Sequence, residues 1–181
     1  TQCDPGCVDP IPTLPPSISA SLNCSQNGNN GWCIGSLSLD LTASDPQGQT
    51  VIISGVLNGV AFACPIGVTS CSIPISSEGA GSITYRADSS TGLSATGSTN
   101  YQLDSTKPML AGTLSGVTAS NNWYRSDVSV DVISSDSVSG LAFVSAVVDG
   151  GSPMTPDLPI IFPDGIHTLL LTSYDNAGNI S

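Results

Sequence analysis

Along two stretches of the chain apolar and polar residues alternate strictly. Leu37, Leu39 and Leu41 are separated by Ser38 and Asp40, and Val128, Val130 and Val132 by Ser129 and Asp131. A period of two puts one set of side chains on a buried face and the other in water, which predicts strands. Asn58-Gly59 and Asp149-Gly150 lie between extended runs, the strongest short-range sign of a tight hairpin. Short β-branched runs broken by Gly, Pro, Asn and Ser recur throughout, and no helical period competes with them. In the first half the pattern predicts strands near 17–22, 36–43, 51–57, 60–64, 71–75, 82–87 and 95–103.

The alternation is written twice. Trp32 to Asp45 superimposes on Trp123 to Asp136 at a constant offset of 91, and Val56-Leu57-Asn58-Gly59 falls on Val147-Val148-Asp149-Gly150 at the same offset. Earlier the offset is 92, carrying Pro16 onto Pro108 and Leu22 onto Leu114; later it is 86, carrying Glu78-Gly79 onto Asp164-Gly165 and Gly92 onto Gly178. Offsets that drift at loops and hold along strands are the mark of a duplicated domain. The expected organisation is a Pro-rich arm over residues 1–15, one domain over 16–104 and a second over 105–181. Each domain is expected to be an antiparallel β-sandwich of about seven strands.

Composition narrows the function. The 181 residues carry 14 acidic and 3 basic side chains, a net charge of -11, and charged residues are only 9% of the chain. Arg86, Lys107 and Arg125 are the only Lys or Arg residues. Phosphate binding needs several clustered cations, so neither nucleic acid nor an anionic membrane surface is an expected partner. Apolar runs are as short as Leu169-Leu170-Leu171, whereas a membrane-spanning helix needs about 20 such residues; membrane insertion is not expected. Six cysteines, Cys3, Cys7, Cys24, Cys33, Cys64 and Cys71, point to an oxidising, extracellular setting. Six allow 15 connectivities; nearest-neighbour pairing closes one local loop per pair. Zinc thiolates would call for histidine beside them, and the only one is the distant His167.

The second copy carries Asp104-Ser-Thr-Lys-Pro108, Asn122-Trp-Tyr-Arg-Ser126, Val147-Val-Asp-Gly-Gly151, Asp164-Gly-Ile-His-Thr168 and Tyr174-Asp-Asn-Ala-Gly-Asn-Ile-Ser181. With these it resembles the bacterial immunoglobulin-like repeats of secreted and cell-surface proteins. Residues 104–181 carry the resemblance well and the first copy more loosely. It implies all-β, tandem immunoglobulin-like sandwiches and brings no catalytic residues.

Aligning the copies exposes a gap. After Gly92 the first copy continues through Leu93 to Asp104 and offers a last strand; after Gly178 only Asn179, Ile180 and Ser181 follow. The second sandwich is therefore expected to lack its final strand and to present an open edge and an uncovered core. A candidate filler is the arm: in an extended Val8-Asp-Pro-Ile-Pro-Thr-Leu14, Val8, Pro10, Pro12 and Leu14 share one face and Ile11 the other. Asp9, Ile11 and Thr13 keep N–H groups for one edge, and proline is tolerated in such one-sided strands. Donor-strand complementation between copies would then build a filament, a homopolymer of the chain with itself. Two other readings stand beside it. The chain is an excerpt of a longer multi-repeat adhesin or stalk, or a carbohydrate-contacting accessory module; and the arm lies along its own domain or forms a polyproline II linker.

The remaining chemistry is sparse. A hydrolytic triad would have His167 alone to draw on; it starts an extended run after the Asp164-Gly165 turn and reads as a surface strand residue, so no enzymatic activity is expected. Trp32 and Trp123 hold matched positions before the second strand of each copy, as structural caps or as sugar-stacking platforms. No cofactor is expected, apart from calcium as a candidate. Asp45/Asp136 and Asp88/Asp175 read as recurring pairs, and Asp104 lies at the domain junction with Asn176 and Asn179. Asx turns are the other reading of Asp104, Asp136 and Asp175. Asn23 and Asn179 begin N-x-S acceptor patterns for glycosylation.

Overall fold

The computed structural model describes residues 13–181, and the predicted alternation becomes two antiparallel β-sandwiches. In the first copy the strands are β1 (Ser17–Cys24), β2 (Leu37–Ser44), β3 (Val51–Leu57), β4 (Val60–Ala63), β5 (Ser70–Ile75), β6 (Gly79–Ser89) and β7 (Ser94–Leu103). Each overlaps a strand read from the sequence. They form a three-stranded sheet, β1-β2-β5, and a four-stranded sheet, β4-β3-β6-β7. With β1, β2 and β5 as A, B and E and the other four as C′, C, F and G, this is an immunoglobulin-like strand order.

The alternation determines which side chains are buried. Leu37, Leu39, Leu41 and Ala43 of β2, Val51 and Ile53 of β3, Ile75 of β5, and Ile83 and Ala87 of β6 are all buried. Each large aliphatic side chain so enclosed contributes about 1.5–3 kcal/mol. The hairpin from β3 to β4 turns on Asn58 (φ 47) and Gly59 (φ 83), the two successive left-handed residues of a type I′ turn.

The second copy repeats this plan with parts missing. Its strands are β8 (Met109–Ser115), β9 (Val128–Ser135), β10 (Leu141–Val148), β11 (Ile160–Phe162) and β12 (Leu169–Asp175). The sheets are β11-β9-β8 and β10-β12. Registers are copied pair for pair: Leu57↔Ile83 and Val56↔Thr84 in the first become Val148↔Leu169 and Val147↔Leu170 in the second. Likewise Leu37↔Ile75 becomes Val128↔Phe162. Asp149 (φ 49) and Gly150 (φ 70) repeat the hairpin turn.

Beyond that turn the copies part. The ladder that β4 makes with β3 is reduced to one bridge, Ala146↔Met154, the counterpart of Gly55↔Phe62. Pro153 and Pro156 in this stretch have no N–H to give a ladder. Where the first copy has β7, the second has only the bridge Tyr174↔Ile180. The sandwich thus has five strands in place of about seven. Its core is small: Val130, Ala146, Ile160 and Phe162, with Val128, Val132, Val148, Leu169 and Leu171 partly buried against it.

The chain divides into two compact units whose bounds cut across the sequence repeat. One runs up to Asn23 and holds Leu37–Ile75 and Ala80–Tyr101; the other holds Cys24–Ser36, Ser76–Gly79 and Gln102–Ser181. The loop Cys24–Ser36, which joins β1 to β2, thus belongs to the second unit, where Asn29 N–H donates to Ala177 O at 2.6 Å and Cys33 N–H to Gln102 O at 2.9 Å. Cys24–Cys33 closes that loop, and Cys64–Cys71 closes the β4–β5 loop of the first unit. Both are nearest-neighbour pairings; Cys3 and Cys7 lie outside the described residues.

Candidate functional site

Two features of the second unit stand out, a groove and a cluster of carboxylates. The groove is a cavity of about 580 Å³ between the inner faces of its sheets. Leu114 of β8, Val128 and Val130 of β9, Phe162 of β11, and Leu169 and Leu171 of β12 line it, with Trp123, Tyr124 and the Asp164–His167 turn at its rim. The duplication shows what these positions do when covered. Their counterparts Leu37, Leu39, Ile75 and Ile83 are 6%, 0%, 4% and 1% exposed in the first unit, where Tyr101 of β7 is also buried. In the second unit Val130 and Phe162 stay buried at 4% and 8%, whereas Val128 and Leu169 are only half-buried; Leu171 is half-buried like its counterpart Tyr85, and Leu114 is 59% exposed where Leu22 is half-buried.

The edge of β12 beside the groove is short of partners as well. Ser173 exchanges two hydrogen bonds with Ser181, at 2.9 and 3.0 Å, and Asp175 N–H donates to Asn179 O at 3.2 Å. In an antiparallel ladder the backbone groups of alternate residues point to the same side, so Leu171 and Leu169 present theirs at that edge too. Among the described residues no strand lies against them there. At the rim, His167 Nδ1 pairs with Asp149 Oδ2 at 2.8 Å, and the ring tilts against Phe162 with centroids 5.2 Å apart. The Asp149 carboxylate holds the imidazole pKa above its ordinary value, and that bond holds the carboxyl below its own. His167 Nε2 is buried without a partner. The side chain expected on an open strand surface is therefore part of the groove wall.

The carboxylates come from three separate segments. Asp104 follows β7, and its backbone N–H donates to Cys33 O at 2.9 Å, inside the disulfide-closed loop. Asp136 follows β9 and caps an Asx turn, its Oδ1 accepting from the Val138 and Gly140 N–H groups at 3.0 and 2.8 Å. Asp175 ends β12, and its Oδ1 accepts from Gly178 and Asn179 N–H at 2.7 and 2.8 Å, in a turn that needs Gly178 at φ 103. One oxygen from each of the three lies within 4.8 Å of the others. Asp104 is 0% and Asp175 2% exposed. Burial, reinforced by the charges of Asp136 and Asp175, pushes the Asp104 carboxyl up, against the hydrogen bonds it accepts near Ser139 and Thr106. Asn179 Nδ2 ties the group together, donating to Asp104 O and Asp175 Oδ2, both at 2.9 Å.

The three aspartates singled out from the sequence thus converge, but the recurrence is not the expected one. Register and the Gly92/Gly178 turn make Ser89, not Asp88, the counterpart of Asp175; Asp88 faces outward and pairs with Arg86 at 2.6 Å. Asp45 repeats the Asx turn of Asp136, taking Gln47 N–H at 2.8 Å and Gln49 N–H at 3.3 Å. Its Oδ2 is sealed from water with no bond of good geometry, yet the neighbouring Ser89 hydroxyl holds its pKa below the usual range.

The other residues scatter. Asn23 is exposed on β1, its amide donating to Asp40, and Asn179 spends its amide inside the carboxylate cluster. Trp32 is half-buried, whereas Trp123 is 55% exposed. Of the arm, Leu14 is 50% exposed, and with the Gln47 amide turned to suit, its backbone exchanges bonds of 3.1 and 3.2 Å with that side chain in the first unit. Val8, Pro10, Ile11 and Pro12 lie outside the described residues. The sequence predicts an uncovered core in the second copy without marking which residues line the groove.

No family model and no curated protein matches the chain. Among solved structures it is similar to one described as Clostridium thermocellum CbhA fibronectin(III)-like modules, with a TM-score of 0.38 and 16% identity over 90% of this chain and 89% of that one. The fold assignment rests on the strand order and registers described above.

Proposed function

We propose that the chain is a structural module of an extracellular or cell-surface assembly whose second sandwich is completed by a β-strand from another copy. The observation that carries this reading is the groove of about 580 Å³ beside the uncovered edge of β12, where Val128 and Leu169 are half-buried at positions that the first unit buries as Leu37 and Ile83. Two formed disulfides fit an oxidising, extracellular setting. The occupant's chemistry follows from the first unit: an extended segment with apolar side chains on alternate residues, as β7 supplies.

The segment proposed is the arm of a second copy, with Val8, Pro10 and Pro12 facing inward and Asp9 and Ile11 free to donate along β12. Leu14, tied to Gln47, then marks where the arm leaves its own first unit. Donation of this kind is head-to-tail and does not close on itself, so it yields a filament. The test is negative-stain microscopy and light scattering on the whole chain beside one lacking residues 1–12. Fibres that vanish on deletion support the arm as donor. Monodisperse monomers from both overturn it. A chain that stays monomeric but binds a peptide of residues 94–103 would leave the groove a strand acceptor and exclude the arm.

A second reading draws on Trp123, whose exposed indole stands at the groove rim beside Tyr124. Such an aromatic face can stack on sugar rings, and glycan-array binding lost in Trp123→Ala would favour a carbohydrate-contacting module.

A further inference from the structure

Three carboxylates within 4.8 Å of one another raise an energetic question that the turns around them do not answer. Like charges brought together out of water repel strongly, and buried ions persist only when paired or when they hold a metal. Among the described residues the ion pairs are Arg86–Asp88 and His167–Asp149, so no cationic side chain serves this cluster.

The first unit shows that the fold does not require the three acids. Asp45 alone makes the equivalent Asx turn, and the position of Asp175 is taken there by the uncharged Ser89. The second unit has replaced that serine with a second carboxylate and brought in a third from Asp104. In both units the Asx-turn aspartate keeps its second oxygen sealed from solvent without a hydrogen-bond partner, Asp45 Oδ2 in the first and Asp136 Oδ2 in the second; only in the second does that residue stand within 4.8 Å of two buried carboxylates. That grouping of three acids, with one carboxylate oxygen left unpartnered, is what the first unit lacks among the described residues.

From this juxtaposition we infer that Asp104, Asp136 and Asp175 form a divalent-cation site that takes calcium. Oxygen-only ligands select a hard cation, and calcium at about 2.3–2.6 Å from its ligands accepts oxygens spread up to roughly 5 Å apart across the ion. Magnesium usually takes one or two carboxylates and keeps several waters; three carboxylates, two on buried residues, suit it less. The ion would join the ends of β7, β9 and β12 through ligands that are far apart in sequence. The Asn179 amide and the Cys24–Cys33 loop, bonded to the Asp104 backbone, hold two of those ligands in place. Extracellular calcium modules of this kind bind at about 10⁻⁴–10⁻³ M.

The experiment is calorimetric titration of the whole EDTA-treated chain with calcium chloride, followed by thermal melting with and without it. One calcium per chain is expected, with a rise in Tm of about 5–15 °C at a hundredfold excess over Kd and a smaller rise with magnesium chloride. Asp136→Asn and Asp175→Ser, the latter restoring the first unit's residue, should weaken calcium binding at least tenfold. In EDTA the same variants should melt at or above the wild-type temperature because repulsion is relieved, an outcome that a purely structural role would reverse. Asp45→Asn should leave the calcium response intact. The absence of both heat and a Tm shift in the wild-type chain at about 10 mM calcium, roughly tenfold above the weakest affinity expected, overturns the site, whatever the variants do.

Discussion

The two sandwiches share registers, turns and inward-facing positions, and they differ in what covers the core. In the first, Leu39 is fully enclosed and Tyr101 of β7 is buried with it. In the second, Val130 is buried on one side and lines a groove on the other. The same blueprint thus encloses one core and leaves a groove beside the other. Among the described residues the difference lies at the sheet edges, where single bridges stand in place of the β4 ladder and β7, and not in the pattern of the other strands. Edge pieces of a sandwich do two things at once: they satisfy the neighbouring strand's backbone and they close the core. Without them the strand pairs survive and the enclosure does not.

The largest effect expected from this comparison is on stability. Leu39→Ala should cost about 3–5 kcal/mol, because it empties an enclosed site that cannot collapse. Its counterpart Val130→Ala should cost only about 1–2 kcal/mol, since it widens a groove and creates no sealed void. Urea unfolding of both variants measures the contrast; equal losses would show that the second core is closed in solution.

A smaller and more pointed effect comes from Gly112 on β8. A Cβ placed there meets Leu171 at 3.5 Å and Val130 at 3.6 Å, ordinary contact distances. Gly112→Val should therefore fill groove space and stabilise the second unit of the unassembled chain by about 1 kcal/mol. It should also weaken strand uptake, seen as fewer or shorter fibres from the whole chain. A variant that melts higher and polymerises as before would separate the groove from assembly.

Most of the fold was legible because a period of two is insensitive to context. All seven strands of the first copy were readable, as were the hairpins at Asn58-Gly59 and Asp149-Gly150. What could not be read depended on contacts between distant segments. Asp88 and Ser89 are neighbours in sequence, and only the pairing of β6 with β3 decides that Ser89 matches Asp175. The loop Cys24–Ser36 reads as part of the first domain, yet its bonds from Asn29 to Ala177 and from Cys33 to Gln102 place it in the second unit. The collapse of the β4 counterpart to one bridge was signalled by Pro153 and Pro156, whose missing N–H groups outweigh the hairpin turn before them. The convergence of Asp104, Asp136 and Asp175 was legible only as three acids at loop ends, because spacing in sequence does not fix distance in a sandwich.

The smallest effect expected is electrostatic and belongs to the second unit alone. His167 bonds Asp149 at 2.8 Å, and the first unit has no histidine to match. The His167 pKa is raised in the folded chain, mainly by the Asp149 bond, so its contribution is complete below the unfolded value of about 6.5 and is lost as pH rises through the folded value. The Asp149 pKa is lowered, mainly by the His167 bond, so its contribution is present above the unfolded value of about 3.9 and is lost as pH falls through the folded value. The pair therefore stabilises the second unit most between roughly pH 4 and 6.5. Both side chains reach solvent, and screening keeps the effect modest. Thermal melts from pH 5.5 to 8.5 should show a small fall in Tm that disappears in Asp149→Asn. Because His167 lies in the groove wall, a strand seated there should change the pH range of that fall, whereas a pH response unaffected by assembly would place the histidine outside the contact.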